Sequence, residues 1–520
     1  MTHAFGHPGS DVMDFIEQMR LVGIDYVLTH HENTGAFMAG AAGRLTGTPG
    51  VVLVTKGPGV TNVATGIGSA YLDRSPLLLF SSTALDVRQK VGPEFLGNLT
   101  KLSSEMTAET AAELLPRAAR ATVSGMPGPA YLACDTPEQV KEMPQSADEL
   151  ERIIAADPGR DATSLDQAAR AGAAGAVAGA RRLVVVVGQL AEHQRVIPEL
   201  EATLEALGAP IVVTPESVGL VSAEHPLYVG MTGWHDAPIR RLLPEADLVL
   251  TIGLDGADVM VAYKDLRSVV HLAPVPADLS SYGTPAHVVH GDLAAILPVL
   301  AREGRGDREW GEDVAREYRE ATDADMAISD AHDEAKGIAP QRVLTALREI
   351  LPPDAIFTCD VGAHKIVAGT AWKSHRPQTF FISNGFGSMG YGFGTAMGAK
   401  LARPDSPVVS VIGDGGFLMY AGDMATWARL KLPMVLVVMV DNDLTQVQRR
   451  QEKAGYAIDS TTFQRVDYGA VAGAFGIDAM KASSGDEFAR VIERAVAADR
   501  PVLVEAELDS EEYRRIPGWK

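Results

Sequence analysis

Residues 407–452 read PVVSVIGDGGFLMYAGDMATWARLKLPMVLVVMVDNDLTQVQRRQE, and this stretch decides the fold. Its apolar opening, residues 408–412, reads as a buried parallel strand. The strand breaks at Gly413-Asp414-Gly415-Gly416, where glycine lets the backbone come close to a ligand. A helix is expected next, with Met419, Met424, Trp427 and Leu430 near helical spacing. Pro433 stops it. Residues 434–440 make a second buried strand, which ends at Asp441-Asn442. The unit is strand–helix–strand, with polar residues at both carboxyl ends. Open α/β sheets bind their ligands at such ends.

A hard cation and a phosphate suit this place. Asp414 offers a carboxylate, and Asn442 offers a carbonyl oxygen from the next strand end. Both are ligands of the kind Mg²⁺ takes while it keeps water and binds phosphates. Alone, a GDG turn is more often an ordinary βαβ connection. Here a second motif stands at a fixed distance, because 25 residues, 416–440, separate Gly415 from Asp441. The pair resembles the thiamine diphosphate (ThDP) signature, in which Asn-Asn follows GDG at this distance. Asp441 replaces the first Asn, and Asn442 keeps the second, metal-binding one. The resemblance implies a diphosphate turn at Gly413, Asp414, Gly415 and Gly416. It also implies Mg²⁺ held by Asp414, Asn442 and the backbone carbonyl of Leu444.

The chain has 520 residues, enough for about three domains of ordinary size. Hydrophobic residues make up 46% and charged residues 22%, as expected of a globular protein with large cores. A net charge of −21 argues against nucleic acid and against anionic membrane surfaces as partners. The two cysteines, Cys134 and Cys359, cannot form a disulfide framework and read as small buried residues. No apolar run reaches transmembrane length, and the amino terminus lacks a basic segment followed by an apolar one. A cytoplasmic protein is expected.

Three α/β blocks follow one another. In the first, residues 1–145, strands are expected at 51–54, 77–80 and 128–135. Residues 138–178 read as a polar, then Ala/Gly-rich linker passing into a helix. In the second block, residues 165–305, strands are expected at 183–187, 211–214, 248–251, 268–271 and 288–292. Charged residues 302–336 form a helical linker. The third block covers residues 335–515. The expected fold class is therefore α/β, with three successive doubly wound parallel sheets.

The first block carries His30-His31-Glu32-Asn33 after the apolar Tyr26-Val27-Leu28. A single Glu there is by itself an ordinary helix N-terminal charge. Its context is Phe5-Gly6-His7-Pro8-Gly9 upstream and Thr55-Lys56-Gly57-Pro58-Gly59-Val60-Thr61-Asn62 downstream. Leu72-Asp73-Arg74-Ser75-Pro76 follows. Together these resemble the acetohydroxyacid synthase, pyruvate oxidase and benzoylformate decarboxylase group of ThDP enzymes, which carry FGxPG, RHE and TSGPGxTN in this order. His30 replaces the Arg, and Lys56 replaces the Ser. The resemblance makes the first block the pyrimidine-binding domain and the third the diphosphate- and Mg-binding domain. It makes Glu32 the catalytic carboxylate, hydrogen-bonded to N1′ of the aminopyrimidine. The family usually has a helix ahead of the FGxPG strand. This chain starts almost at that strand, the pattern of a shortened amino terminus.

In the third block, Asp360-Val361-Gly362-Ala363-His364 resembles the DVGxH segment that meets the diphosphate. Gly362, Ala363 and His364 are its expected contacts. Gly387-Ser388-Met389-Gly390-Tyr391-Gly392 by itself reads as a glycine loop. In the family the methionine of this loop is the apolar wedge beneath the bent cofactor, so Gly387, Ser388 and Met389 are expected to touch it.

The reaction is less constrained. Acetohydroxyacid synthases bind the substrate carboxylate with an Arg in the middle domain. Asp255 or its neighbour stands there in this chain, and Gln451 takes the place of the family's pocket Trp. The segments flanking residues 72–76 are also similar to carboxyethylarginine synthase. The expectation is an acetolactate synthase-like enzyme that uses ThDP and Mg²⁺ on a 2-oxo acid, by decarboxylation, carboligation or both through an enamine. The alternatives are a non-oxidative 2-oxo acid decarboxylase, a carboxyethylarginine synthase-like transferase, and a catalytically inactive regulatory subunit. Retention of Glu32, Asp414 and Asn442 argues against the last. No motif marks an FAD site clearly, and FAD is not favoured. The family's cofactor lies between two subunits, so a homodimer or homotetramer is expected.

Overall fold

A computed structural model describes residues 2–83, 92–155, 167–233, 237–258, 266–277, 279 and 283–516. The chain forms three six-stranded, all-parallel sheets with helices between the strands. The first holds β1 (His3–Gly6), β2 (Asp25–Leu28), β3 (Gly50–Val54), β4 (Leu77–Ser81), β5 (Leu102–Met106) and β6 (Pro129–Cys134). The second holds β7 (Leu183–Val187), β8 (Ile211–Val213), β9 (Tyr228–Met231), β10 (Leu248–Ile252), β11 (Val269–Ala273) and β12 (His287–His290). The third holds β13 (Ile356–Cys359), β14 (Phe380–Ile382), β15 (Val408–Gly413), β16 (Val435–Val440), β17 (Asp478–Ala482) and β18 (Val502–Glu507). The α/β fold with three parallel sheets is as the sequence predicts. The expected start of the second block at 165 lies outside the described residues, as do residues 156–166 of the expected linker. Among the described residues, no helix is long and apolar enough to cross a membrane.

The central strands are buried on both faces, as parallel strands between helix layers must be. β3, β7 and β16 are continuous runs of aliphatic residues with every position buried. The edge strands break that rule. β5 reads LSSEM and is mostly half-buried, β17 reads DAMKA and is mostly exposed, and apolar-run reasoning passes over both. Cys134 and Cys359 are buried free thiols.

One expectation needs correcting. The helix after β15 is not continuous. It runs over Asp414–Tyr420, tightens into a 3₁₀ turn at Ala421–Asp423, and resumes over Met424–Leu430. The break falls at Ala421-Gly422-Asp423, and it turns Met419 outward, 58% exposed, while Met424 and Trp427 are fully buried. Met419 therefore does not share their stripe.

The first and third sheets have one plan. Their orders are β2-β1-β3-β4-β6-β5 and β14-β13-β15-β16-β18-β17, so each strand of one has a counterpart in the other. The helix after β2 is Glu32–Thr46, and its counterpart after β14 is Tyr391–Ala402. These two helices pack directly on one another. A Cβ on Gly398 would lie 2.3 Å from the carbonyl oxygen of Met38, so only glycine permits the approach. Phe37 sits edge-on to Tyr391, with ring centroids 5.4 Å apart.

Arg44, on the Glu32–Thr46 helix, ties all three domains. It pairs with Glu192 at 2.8 Å and Glu216 at 2.6 Å, both from the middle domain, and lies 4.7 Å above the Phe381 ring of β14. All three charged side chains are buried.

Candidate active site

In the third sheet the strand order reverses between β13 and β15, where open α/β sheets leave a crevice at the carboxyl ends. A cavity of about 150 Å³ lies there. Its walls include Gly362, Ala363 and His364 from the turn after β13 and Gly413, Asp414, Gly415 and Gly416 from the turn after β15. Met389 and Leu444 complete the set of expected residues it gathers, so nine of the expected contacts share one cavity. Gly387, Ser388 and Asn442 are not among its lining residues.

β15 and β16 run side by side with Gly413 opposite Met439, which sets Asp414 next to the Asp441-Asn442 turn. Asp414 is buried, and one oxygen accepts from the Gly415 N–H at 2.8 Å. The other accepts from Asn442 N–H at 2.7 Å and Asp441 N–H at 3.1 Å. Burial pushes its carboxyl up to about 6, against those hydrogen bonds. Burial and the nearby Asp414 push Asp441 up to about 7. Asn442 has φ +60°, a left-handed backbone that Asn tolerates better than most residues. Its side-chain oxygen Oδ1 is buried and has no hydrogen-bond partner.

A hard divalent cation fits this donor set. It would receive an orphaned carbonyl oxygen and a carboxylate whose charge burial disfavours. The Leu444 carbonyl is differently placed. It accepts Val447 N–H at 2.8 Å and Gln448 N–H at 3.0 Å as the first carbonyl of the helix Thr445–Lys453. Asp414 and Asn442 are thus the ready pair, and Leu444 O is engaged.

His364 is buried, and its Nε2 has no partner. Burial and the neighbouring Lys365 lower it to about 4, so the ring is neutral and offers one N–H. That suits a phosphate oxygen. Met389 sits in a loop bent by two residues with positive φ, Gly387 at +68° and Gly390 at +79°. A Cβ on Gly390 would fall 2.0 Å from the Tyr420 ring. Asp360 holds this loop. Its fully buried carboxylate accepts Gly390 N–H at 2.6 Å and Gly392 N–H at 2.5 Å. In the sequence, Asp360 stands out only as the first residue of its motif. Tyr513 and Leu508 also line the cavity, and no sequence signal marked them.

Glu32 lies elsewhere. It is the first residue of its helix, 6% exposed, and accepts from Asn62 Nδ2 at 3.1 Å. His31 caps the helix by accepting Asn33 N–H at 3.1 Å. Asp423 of the third domain accepts from His30 N–H at 2.7 Å and Thr34 Oγ1 at 2.6 Å, fixing the segment from outside. Among the described residues, those lining the cavity all come from the third domain. Within one chain Glu32 and the cavity do not form a joint pocket. Asp255 makes a two-pronged ion pair with Arg74 at 2.5 and 3.2 Å.

Residues 1–95 match the N-terminal TPP binding domain of thiamine pyrophosphate enzymes, 171–300 the central domain and 360–506 the C-terminal TPP binding domain. The chain belongs to the thiamine pyrophosphate (ThDP) enzymes, in the acetohydroxyacid synthase group. Among curated proteins it is similar to the probable 2-ketoarginine decarboxylase AruI of Pseudomonas aeruginosa, 31% identical over 96% of this chain and 90% of that protein. It is also similar to the acetolactate synthase of Bacillus subtilis (strain 168), at 29% over 98% and 91%. The acetolactate synthase isozyme 2 large subunit of Escherichia coli (strain K12) is 28% identical over 97% and 92%.

Proposed function

We propose that the chain is an acetolactate synthase-like enzyme that uses ThDP and Mg²⁺ to act on a 2-oxo acid, by decarboxylation, carboligation or both. One observation carries this reading. The buried Asp414 carboxylate and the orphaned Asn442 oxygen stand together at two neighbouring strand ends, beside a cavity that also receives the unpartnered His364 nitrogen. When bound, ThDP supplies the carbon nucleophile and the electron sink for a departing carboxylate. Asp414 and Asn442 would hold Mg²⁺, and neutral His364 would donate to a phosphate oxygen. Met389, in the loop held by Asp360 through Gly390, would offer the cofactor rings an apolar contact. Glu32, which accepts a hydrogen bond from Asn62, would share a proton with the aminopyrimidine as the acid–base group.

Glu32 and the cavity face different surroundings in one chain, which favours a site shared between two chains. A homodimer then has two such sites, and pairs of dimers give a homotetramer.

A second reading is decarboxylation alone. Among the described residues, the cation nearest the expected place of the family's Arg is Arg74, and it is paired with Asp255; a probable decarboxylase is also among the similar proteins. The test incubates the protein with ThDP, Mg²⁺ and a panel of 2-oxo acids, measuring CO₂ and condensation products. CO₂ with a two-substrate product supports carboligation, and CO₂ with the aldehyde alone supports the second reading. Absence of turnover despite bound ThDP sinks both and leaves a regulatory subunit.

A further inference from the structure

The middle sheet has the plan of a second cofactor site. Its order is β9-β8-β7-β10-β11-β12. Numbered from β7, that is 3-2-1-4-5-6, the order of dinucleotide-binding sheets. In those sheets the pyrophosphate lies across the crevice where the order reverses, against free N–H groups at the turn after the first strand. Here the reversal falls between β7 and β10, and FAD is the dinucleotide in question. Three sets of contacts bear on whether it fits.

The turn itself is the first. It reads Gly188-Gln189-Leu190-Ala191-Glu192-His193, so Leu190 and His193 stand where the glycine fingerprint has its second and third glycines. Gln189 and Leu190 are fully buried. A Cβ on Gly188 would lie 2.5 Å from Leu254 Cα, so the turns after β7 and β10 already touch.

The N–H groups are the second. Gln189 N–H donates to Asp258 Oδ2 at 2.8 Å, Leu190 N–H to the Gly253 carbonyl at 2.9 Å, and Ala191 N–H to the Gly188 carbonyl at 3.1 Å. Asp258 Oδ2 also accepts Thr214 Oγ1 at 2.5 Å, joining the strand on the other side. A carboxylate of the chain thus holds the position of the anion.

The third comes from another domain. Arg74 reaches from the first domain to Asp255, and Gln189 Nε2 donates to the same carboxylate at 3.1 Å. Arg74 Nη1 donates to the Tyr71 carbonyl at 2.9 Å.

We infer that the switch-point crevice of the middle domain is a closed latch between the first and middle domains and takes neither FAD nor another dinucleotide. The carboxylates of Asp258 and Asp255 already accept from the Gln189 N–H groups and from Arg74, the donors that a pyrophosphate would otherwise meet. The inference does not depend on which 2-oxo acid is the substrate.

The test uses the full chain, purified from riboflavin-replete cells. Acid-released supernatant is scanned for flavin absorbance, and FAD and ADP are titrated by calorimetry, with ThDP and Mg²⁺ as a separate titration. The expected result is no released flavin and no FAD or ADP binding tighter than about 100 µM. A flavin content near one per chain, or FAD binding tighter than that limit, overturns the latch. The variant R74Q gives a second measurement. It is expected to lower the melting temperature while flavin content stays at zero. Flavin uptake by R74Q with an unchanged melting temperature also overturns it, because Arg74 would then only have been guarding an open site.

Discussion

The Asp414 carboxylate accepts the backbone N–H of Asn442 at 2.7 Å, so one candidate Mg²⁺ ligand fixes the loop that presents the other. Asp414→Asn keeps the shape and removes the charge. Mg²⁺-dependent ThDP affinity is expected to fall at least about tenfold, or 1.4 kcal/mol. Calorimetric titration with unchanged affinity would remove Asp414 from the metal site.

Glu32→Gln preserves size and the bond from Asn62 but cannot share a proton in the same way. Turnover is expected to fall by about 10² or more, the usual weight of an acid–base group. ThDP binding should persist. Asn62→Ala should cost less, about fivefold, since it removes one orienting hydrogen bond of roughly 1 kcal/mol. Near-normal turnover by Glu32→Gln assigns the role to another residue.

Mixing the two impaired variants, Glu32→Gln and Asp414→Asn, at a ThDP concentration too low to load the second on its own tests the shared site. After dissociation and reassociation, a mixed dimer carries one site with both native residues, so part of the activity should return. No recovery despite subunit exchange, followed with tagged chains, would favour a site built within one chain.

The pH dependence has a definite sign. Burial raises Asp414 to about 6 and Asp441 to about 7, both above their usual carboxylate range. The contribution of raised carboxyls to stability is fully present below about pH 4 and is lost as pH rises through 6 to 7. Mg²⁺ binds the ionised form, so its stabilising effect should grow over the same interval. Melting curves with and without Mg²⁺ and ThDP at pH 5, 6 and 7 should show a widening gap. A gap that narrows with pH contradicts Asp414 as a ligand.

Arg44→Ala leaves Glu192 and Glu216 buried without their cation. The expected cost is about 3–5 kcal/mol, seen as a lowered melting temperature. A change within a degree or two would mean that the carboxylates simply take up protons.

Legibility followed burial and sequence distance. β7 and β16 are unbroken aliphatic runs because they are covered on both faces, and their limits were readable to within a residue. β5 and β17 lie at the open edges of their sheets, where solvent permits Ser, Glu, Asp and Lys, so no apolar pattern remained. In the site, Asp414 and Asn442 were legible because a strand–helix–strand unit fixes their separation. Asp360 meets Gly390 across 30 positions, and Arg44 meets Glu192 across 148. Contacts of that kind depend on how the sheets and domains assemble, and no local pattern encodes them. Leu444 shows the reverse case. The motif marks its carbonyl as a ligand, while the local helix start engages the same oxygen.

The pairing of the Glu32–Thr46 and Tyr391–Ala402 helices also bears on synthesis. The first helix leaves the ribosome early, with 13 of its residues destined for burial. Its counterpart follows about 350 residues later, which at 5–20 residues per second is roughly 20–70 s. Throughout that interval the nascent amino-terminal domain carries an uncovered apolar helix face. Chaperone cover or slow growth at low temperature is therefore expected to raise the yield of folded chain, and a separately produced amino-terminal domain is expected to aggregate.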